Sequence, residues 1–245
     1  MNALPTRKDE TWRYADLDAL AGVWPLPEAE HIVVPAGARF ARHIIQDSTS
    51  LGGAIQQIAL SVGKGATATF HVLNIGGAYG RVEIAVTLHD GAHFELGGVI
   101  LGTDSQVLEI VTTVTHAEPN ATSNQIVRSV LGGHATGSYL GKVAVARDAQ
   151  KTDAAQSVKA MLLDRTATAN AKPELEIYAD DVKCAHGATV GELDKAALFY
   201  LASRGLPPAE AKQLLLQAFV AGVFEGAEAQ DILTSAALVK LGAMV

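Results

Sequence analysis

The sequence contains little cysteine, few aromatic residues and few charged residues. Its single cysteine, Cys184, cannot form an intramolecular disulfide, so a reducing compartment is the simplest environment for the chain. Aromatic residues are only 5% of the sequence, so a core must be built mainly from Val, Ile, Leu and Ala. Charged residues are 18%, the net charge is -7, and no basic cluster is longer than Arg7-Lys8. Nucleic acid and anionic membrane surfaces are therefore not expected as partners.

Signals for secretion and for membrane insertion are also missing. The first ten residues end in Arg7, Lys8, Asp9 and Glu10 with no apolar segment behind them, so we expect no signal peptide. No apolar run approaches the roughly 20 residues that span a bilayer. These absences predict a cytoplasmic protein.

The residues that are present fall into three regions of different texture. Residues 1–30 are polar and rich in proline, residues 31–190 form short runs rich in Val, Ile and Thr, and residues 191–245 change to helical spacing. Hydrophobic residues reach 49% of the chain, which is enough for a sizeable core. We therefore expect an N-terminal segment, a β body and a C-terminal helical domain, with helices only after about residue 191.

The middle region has the pattern of an all-β domain. Its runs start about a dozen residues apart and are separated by turns such as Gly76-Gly77 and Asp90-Gly91, which is typical of a sandwich, a barrel or a β-solenoid. The lack of a strict repeat disfavours a solenoid, whereas few aromatics and many small aliphatic residues favour stacked coils. The pattern alone supports sandwich and solenoid equally. The runs cover residues 54–62, 66–75, 81–89, 93–101, 106–115, 123–131, 137–147 and 175–178.

The C-terminal region predicts three helices. Asp194 can cap the first, which ends at Gly205, and Pro207-Pro208 opens the second because proline is tolerated in the first turn. The third covers residues 229–241. The residues predicted to face inward are Leu214, Leu215, Ala218, Phe219 and Val223 in the second helix and Ile232, Leu233, Ala236 and Val239 in the third.

The segment 172–191, KPELEIYADDVKCAHGATVG, resembles the signature of SufD in the SufB/SufD family of the SUF iron–sulfur assembly system. Segments 4–14, 116–125 and 198–205 agree with it. SufB carries a His-Glu pair in this stretch, whereas here Gly187 follows His186, as in SufD. The chain is short for that family, so the leading helical region and the first part of the β body are expected to be reduced.

The resemblance implies a mainly β protein, a right-handed parallel β-helix with a C-terminal α-helical domain. It implies a scaffold subunit rather than an enzyme, paired with SufB through β-helix edges and holding the ATPase SufC on its C-terminal helices. The isolated chain is expected to form a homodimer through the same surface. The implied cargo is a transient iron–sulfur cluster shared with SufB, and no cofactor is expected to stay tightly bound to the chain alone.

Cys184 and His186 are the candidate cluster ligands. In a strand, residues i and i+2 project from one face about 7 Å apart, and thiolate and imidazole both suit iron. A lone Cys or His is more often structural, and two ligands are too few for a closed metal site. The resemblance favours function for His186 first and Cys184 second, with the other ligands supplied by a partner chain.

Other conspicuous residues are interpreted as structural. Trp12 and Tyr14 are expected to anchor the N-terminal segment over one end of the β body. The polar candidates interpreted in this way are His89 and His93 as surface turn residues, His116 with Glu118 as structural residues beside Pro119, and Asp180-Asp181 as a solvated turn that could attract a cation.

The rival function is that of a β-helix hydrolase or lyase acting on polysaccharide. Such an enzyme needs clustered carboxylates and a groove lined with aromatic residues. The low aromatic content and the helical C-terminal region disfavour it, and no phosphate-binding loop, Gly-x-Ser-x-Gly elbow or His-Glu-x-x-His pair occurs in the sequence.

Overall fold

The computed structural model describes residues 3–47 and 53–245, and most of them belong to a mainly β architecture. Met1, Asn2 and residues 48–52, which fall within the predicted N-terminal segment and β body, lie outside the described residues. The strands are β1 (Glu30–Val34), β2 (Arg39–Gln46), β3 (Gly53–Val62), β4 (Thr67–Asn74), β5 (Tyr79–Leu88), β6 (His93–Gly102), β7 (Val107–His116), β8 (Thr122–Leu131), β9 (Thr136–Val145), β10 (Asp153–Leu162), β11 (Thr168–Ile177) and β12 (Lys183–Gly191).

These strands form a parallel β-solenoid of about 5 turns. In the described part of the chain, the odd-numbered strands make one six-stranded sheet and the even-numbered strands another, each stacked in chain order. Each strand pairs in parallel with the strand two places along the chain, so every odd-even pair is a coil lying on the coil before it. The predicted parallel β-helix is confirmed, and its right-handed sense stays a prediction.

The interior of the solenoid is filled by the inward side chains of both sheets. Alternation along each strand points every second residue inward, where aliphatic residues such as Val82, Ile84 and Ile110 are fully buried. The rings of Phe40, Phe70 and Phe94 stack at 5.8 and 6.1 Å between neighbouring centroids. With so few aromatic residues, Val, Ile and Leu carry most of the burial, as the composition predicts.

The N-terminal segment crosses the outer face of the odd-numbered sheet. It contains a 3-10 turn (Glu10–Trp12) and a short helix α1 (Leu17–Ala21), so the expectation of helices only after residue 191 is wrong. Helix α1 forms because the carboxylate of Asp16 accepts hydrogen bonds from the first free backbone N–H groups, at 3.2 and 3.0 Å.

Trp12 lies over a face of the solenoid, not over an end of it. The guanidinium carbon of Arg81, on β5 in the middle of the odd-numbered sheet, is 3.9 Å from the centroid of its ring. Glu10 forms an ion pair with Lys172 of β11. Trp12 therefore anchors the segment, as predicted, but the predicted position over an end of the β body is wrong. The Arg81 guanidinium that attracts the indole ring lies on the face of the sheet.

Three helices follow the solenoid, as predicted: α2 (Lys195–Ser203), α3 (Pro208–Ala221) and α4 (Gln230–Gly242). The side chain of Asp194 caps α2 by accepting a hydrogen bond from the N–H of Ala196 at 2.8 Å. Helices α3 and α4 cover the outer face of the even-numbered sheet around Leu73 and Val99. Among the described residues, no helix is long and apolar enough to cross a membrane.

The inward residues of the C-terminal helices were predicted only in part. Val223 and Leu233 are buried as predicted, and Phe219 and Ala236 pack against the same buried cluster. Leu214, Ile232 and Val239, predicted to be inward, are 47%, 59% and 74% exposed. Both helices are apolar on more than one side, so helical periodicity alone does not choose the stripe that meets the sheet. The residues that are buried are Ala211, Leu216 and Val220 in α3 and Leu233, Ala237 and Leu241 in α4.

Candidate functional site

The two predicted ligands lie on β12, the last strand of the even-numbered sheet. Within the described residues β12 pairs only with β10, so its other edge is open. Cys184 is in register with Ala154, and His186 is in register with Gln156. Both β10 residues are buried and face inward, and residues paired in a parallel sheet share a face. Cys184 and His186 therefore share the inward face of the final coil, as the i, i+2 spacing predicts.

His186 is exposed although its position faces inward, because no further coil covers β12 in the described chain. No hydrogen bond to another described residue holds its imidazole ring. The ring therefore stands at the mouth of the solenoid, where a partner could approach it.

Cys184 sits in a less open position than His186. Its side chain is half-buried and packs against a small apolar cluster that contains Val143, Val145 and Ala154. Burial is the main cause that raises the pKa of the Cys184 thiol, and the nearby Asp153 carboxylate raises it further. Since the thiolate is the form that binds metal, Cys184 is the weaker donor of the two in the isolated chain.

A buried row of polar side chains lies directly beneath this site. We call it the polar ladder; its members are Thr112 of β7, Gln125 of β8, Tyr139 of β9 and Gln156 of β10. The hydroxyls of Thr112 and Tyr139 donate hydrogen bonds to Oε1 of Gln125 at 2.7 and 3.0 Å. The Nε2 group of Gln156 donates to the Tyr139 hydroxyl at 3.3 Å. The members of the ladder alternate between the two sheets, and Gln156 lies nearest the final coil.

Gly141 makes room for the ladder. A Cβ atom at this position would lie 2.3 Å from the hydroxyl oxygen of Tyr139 and 2.4 Å from the ring carbon that carries it. The absence of a side chain at Gly141 therefore lets the Tyr139 ring fold over its own strand. Burial raises the pKa of Tyr139, so its hydroxyl stays protonated and available as a donor.

The ladder was not predicted from the sequence. A signal did exist, since Gln125 and Gln156 each stand two residues before an inward valine, Val127 or Val158, on the same face of their strand. Reading that signal requires the stacking of one coil on the next, which places Gln156 in register with Gln125. Sequence spacing alone does not give this register.

The donors at the end of the solenoid fit part of an iron–sulfur ligand set. Clusters are commonly held by four protein ligands, mainly Cys thiolates with some His. Over residues 3–47 and 53–245, no group of three or more His, Cys, Asp or Glu side chains is arranged to hold a metal ion. His186 and Cys184 are two donors of the kind that such a cluster uses, and they do not form a closed site with other described residues.

The polar residues interpreted as structural are held by separate partners. Nδ1 of His89 lies 3.0 Å from Oε1 of Glu118, and Nδ1 of His93 lies 2.7 Å from the Thr122 hydroxyl. The two histidines therefore do not converge on one site. Asp181 forms an ion pair with Lys151, so the cation that this turn attracts is a lysine of the preceding turn.

His116 is a fully buried histidine of the solenoid interior. Its Nε2 lies 2.9 Å from the Ser123 hydroxyl, and burial lowers the pKa of His116 to about 4. Its predicted structural role holds, with Ser123 as its partner, and Glu118 pairs with His89. Side chains alternate between the two faces of β7, and His116 at its end points inward. Glu118 lies in the turn that follows.

Comparison with known proteins places the chain beside iron–sulfur assembly proteins. Residues 28–219 match the family model described as SUF system FeS cluster assembly, SufBD core domain. The chain is 33% identical over 167 residues to the iron–sulfur cluster assembly protein SufD of Escherichia coli K12, covering 68% of this chain and 40% of that protein.

Two further relatives give similar coverage. A SufBD family iron–sulfur cluster assembly protein of Synechocystis is 33% identical over 172 residues, which are 70% of this chain and 38% of the relative. The chloroplastic protein ABCI7 of Arabidopsis thaliana is 30% identical over 207 residues, 82% of this chain and 43% of the relative. The chain therefore matches about 40% of the length of these curated relatives.

Proposed function

We propose that this chain, which belongs to the SufBD core family of the SUF iron–sulfur cluster assembly system, acts as a SufD-like scaffold subunit for cluster assembly. A nascent cluster, as cargo and not as a resident cofactor, forms at its junction with a SufB partner. The single observation that carries the proposal is the position of His186 and Cys184. They share the inward face of a final coil that no further strand covers in the described chain.

The open end of the solenoid supports pairing with another chain. Strands β11 and β12 each present an edge without a neighbouring strand in the described residues. Unpaired backbone N–H and C=O groups at such an edge favour addition of a strand from a partner. SufB pairs here in the proposal, and a second copy of this chain takes its place when the protein is isolated.

The chemistry of the two donors assigns them unequal roles. His186 offers an exposed imidazole, whereas the thiol of Cys184 is half-buried with a raised pKa. His186 is therefore the first ligand and Cys184 a secondary one, and SufB supplies the main thiolates. Imidazole is a weaker cluster ligand than thiolate, which suits a site that must release its product.

The C-terminal helices support a second contact, with the ATPase SufC. Exposed large apolar side chains occur on α2, α3 and α4, among them Phe199 at 76%, Tyr200 at 56% and Val239 at 74% exposure. Such side chains are costly to leave in water and are typical of docking surfaces. In the proposal, SufC binds these exposed positions and not the faces that pack on the solenoid, and the complex works in the cytoplasm.

A polysaccharide-active enzyme is less well supported by the surface of the solenoid. A groove of about 420 Å³ on the odd-numbered sheet is lined by the carboxylates of Glu10, Glu174 and Glu176. Lys172 and Lys142 form ion pairs with these carboxylates, and the lining contains no aromatic residue among those described. Carboxylates neutralised in this way are poorly suited to act as a free acid–base pair.

The test compares His186→Ala and Cys184→Ser in a complex reconstituted with SufB and SufC. His31→Ala is the matched control, because His31 is an exposed histidine on β1, at the opposite end of the solenoid. We expect His186→Ala to assemble normally and to lose most cluster maturation, Cys184→Ser to lose less, and the control to lose none. Normal maturation by His186→Ala, or a loss caused only by dissociation of the complex, would contradict the assignment.

A further inference from the structure

The hydrogen bonds of the polar ladder converge on Oε1 of Gln125. The Tyr139 hydroxyl has one proton and donates it to Oε1 of Gln125, so it accepts from the amide group of Gln156. The Thr112 hydroxyl donates to the same Oε1 of Gln125. The Thr112 and Tyr139 hydroxyl oxygens also lie 3.1 Å apart, and the Gln156 amide has its Nε2 turned toward Tyr139.

The Oε1 atom of Gln156 is left without a partner at the upper end of the ladder. It is buried and accepts no hydrogen bond from any described residue. A buried carbonyl oxygen without a donor costs about 1–3 kcal/mol, so such an atom calls for a partner. The residue in register with Gln156 on the next coil is His186, whose ring is held by no described hydrogen bond.

We propose that Gln156 is a positioning residue for His186. Its free Oε1 accepts a hydrogen bond from one ring N–H of His186, which brings the exposed ring inward over the ladder. The inference rests on the proposed function, because orienting the His186 ring matters only if His186 is a ligand. The hydrogen bond itself is independent of any cluster.

The consequence for the site is a fixed tautomer. A neutral imidazole has one N–H and one lone pair, and the nitrogen that donates to Gln156 is the one that carries the proton. The other nitrogen then presents its lone pair away from the ladder, toward the open end of the solenoid. Metal-binding histidines are commonly oriented in this way by an acceptor that holds their second nitrogen.

The matched variants are Gln156→Met and Gln125→Met. Methionine is close to glutamine in length and removes the amide, and Gln125 lies one coil further in, in register with Gln156. Both changes disturb the ladder, but only Gln156→Met removes the acceptor that faces His186. Gln156→Glu keeps an acceptor oxygen at the same place and serves as the conservative variant.

The readout is the ring-nitrogen NMR spectrum of His186 in the chain alone, at a pH where the imidazole is neutral. We expect a single tautomer and a ring N–H that exchanges with water about two- to tenfold more slowly than that of His31. Gln156→Met should abolish both signatures, whereas Gln125→Met and Gln156→Glu should retain them.

Two results would overturn the proposal. One is a mixture of tautomers with fast N–H exchange in the unmodified chain. This measurement does not depend on whether any variant folds. The other is an unchanged His186 spectrum in Gln156→Met. Failure of the proposed function would look different, because His186→Ala would then mature clusters normally while the ring of the unmodified chain still showed its hydrogen bond.

Discussion

The middle coils and the final coil of the solenoid are built from the same kind of strand, but their environments differ. In β6 nearly every residue after the first few is buried on both faces, because coils lie on either side and the C-terminal helices cover the outer face. In β12 nearly every residue is exposed. Burial in a solenoid therefore comes from the next coil, and the inward side chains of β12 stay exposed because no further described strand covers them.

The first prediction compares how much one ion pair from each region contributes to the free energy of unfolding. Arg81 and Glu109 form a pair at 3.0 Å with both side chains at 0% exposure, whereas Lys151 and Asp181 are each 64% exposed. We expect Arg81→Met to lower the free energy of unfolding by about 3–5 kcal/mol, because it leaves the Glu109 carboxylate buried without its cation. The matched change Lys151→Met should cost less than about 1 kcal/mol. Equal losses in urea unfolding would contradict the contrast.

The second prediction uses the pH dependence of stability at the buried His116. Its folded-state pKa of about 4 lies below the ordinary value of 6.5, so the unfolded chain takes up the extra proton first. Stability is therefore lost as the pH falls from about 6.5 toward 4, by up to about 3 kcal/mol at the lower end. The free energy of unfolding, measured by urea titration between about pH 6.5 and 4, should depend less steeply on pH in His116→Gln than in the unmodified chain. A slope that is the same in the variant would show that other groups cause it.

The third prediction compares two inward-facing valines. Val127 of β8 is fully buried, whereas Val190 of β12 is 50% exposed. Deleting two methyl groups from a filled core position is expected to cost about 2–3 kcal/mol, so Val127→Ala should be clearly destabilised. Val190→Ala should stay within about 0.5 kcal/mol in the isolated chain. A large loss at Val190 in isolation would mean that the final coil is already covered.

Much of the β body could be predicted from the sequence because alternation and glycine turns are local signals. All eight predicted runs overlap strands, although the run 175–178 covers only the end of β11, and β1, β2 and β10 were not singled out. Strand β2 carries Arg39, Arg42 and His43, and β10 has Ala154 and the polar Gln156 at its first inward positions, so the hydrophobic signal is weak in both. Their place is fixed by pairing with a neighbouring coil, which is a non-local interaction.

The candidate site was predicted in part. The resemblance of segment 172–191 indicated Cys184 and His186, and the spacing of the two residues indicated a shared face, which the structure confirms. The spacing could not show that this face belongs to the last coil or that Gln156 lies beneath His186. Both facts depend on register between strands about 30 residues apart, such as β10 and β12.

The most direct test of the account is hydrogen exchange of the β12 amides with and without SufB. If SufB completes the final coil, the amides of residues 183–191 should become strongly protected in the complex, while those of β6 stay protected throughout. His31 on β1 lies at the other end of the solenoid, so β1 should show no change. A complex that forms with unchanged exchange in β12 would contradict the claim that the partner completes the site there.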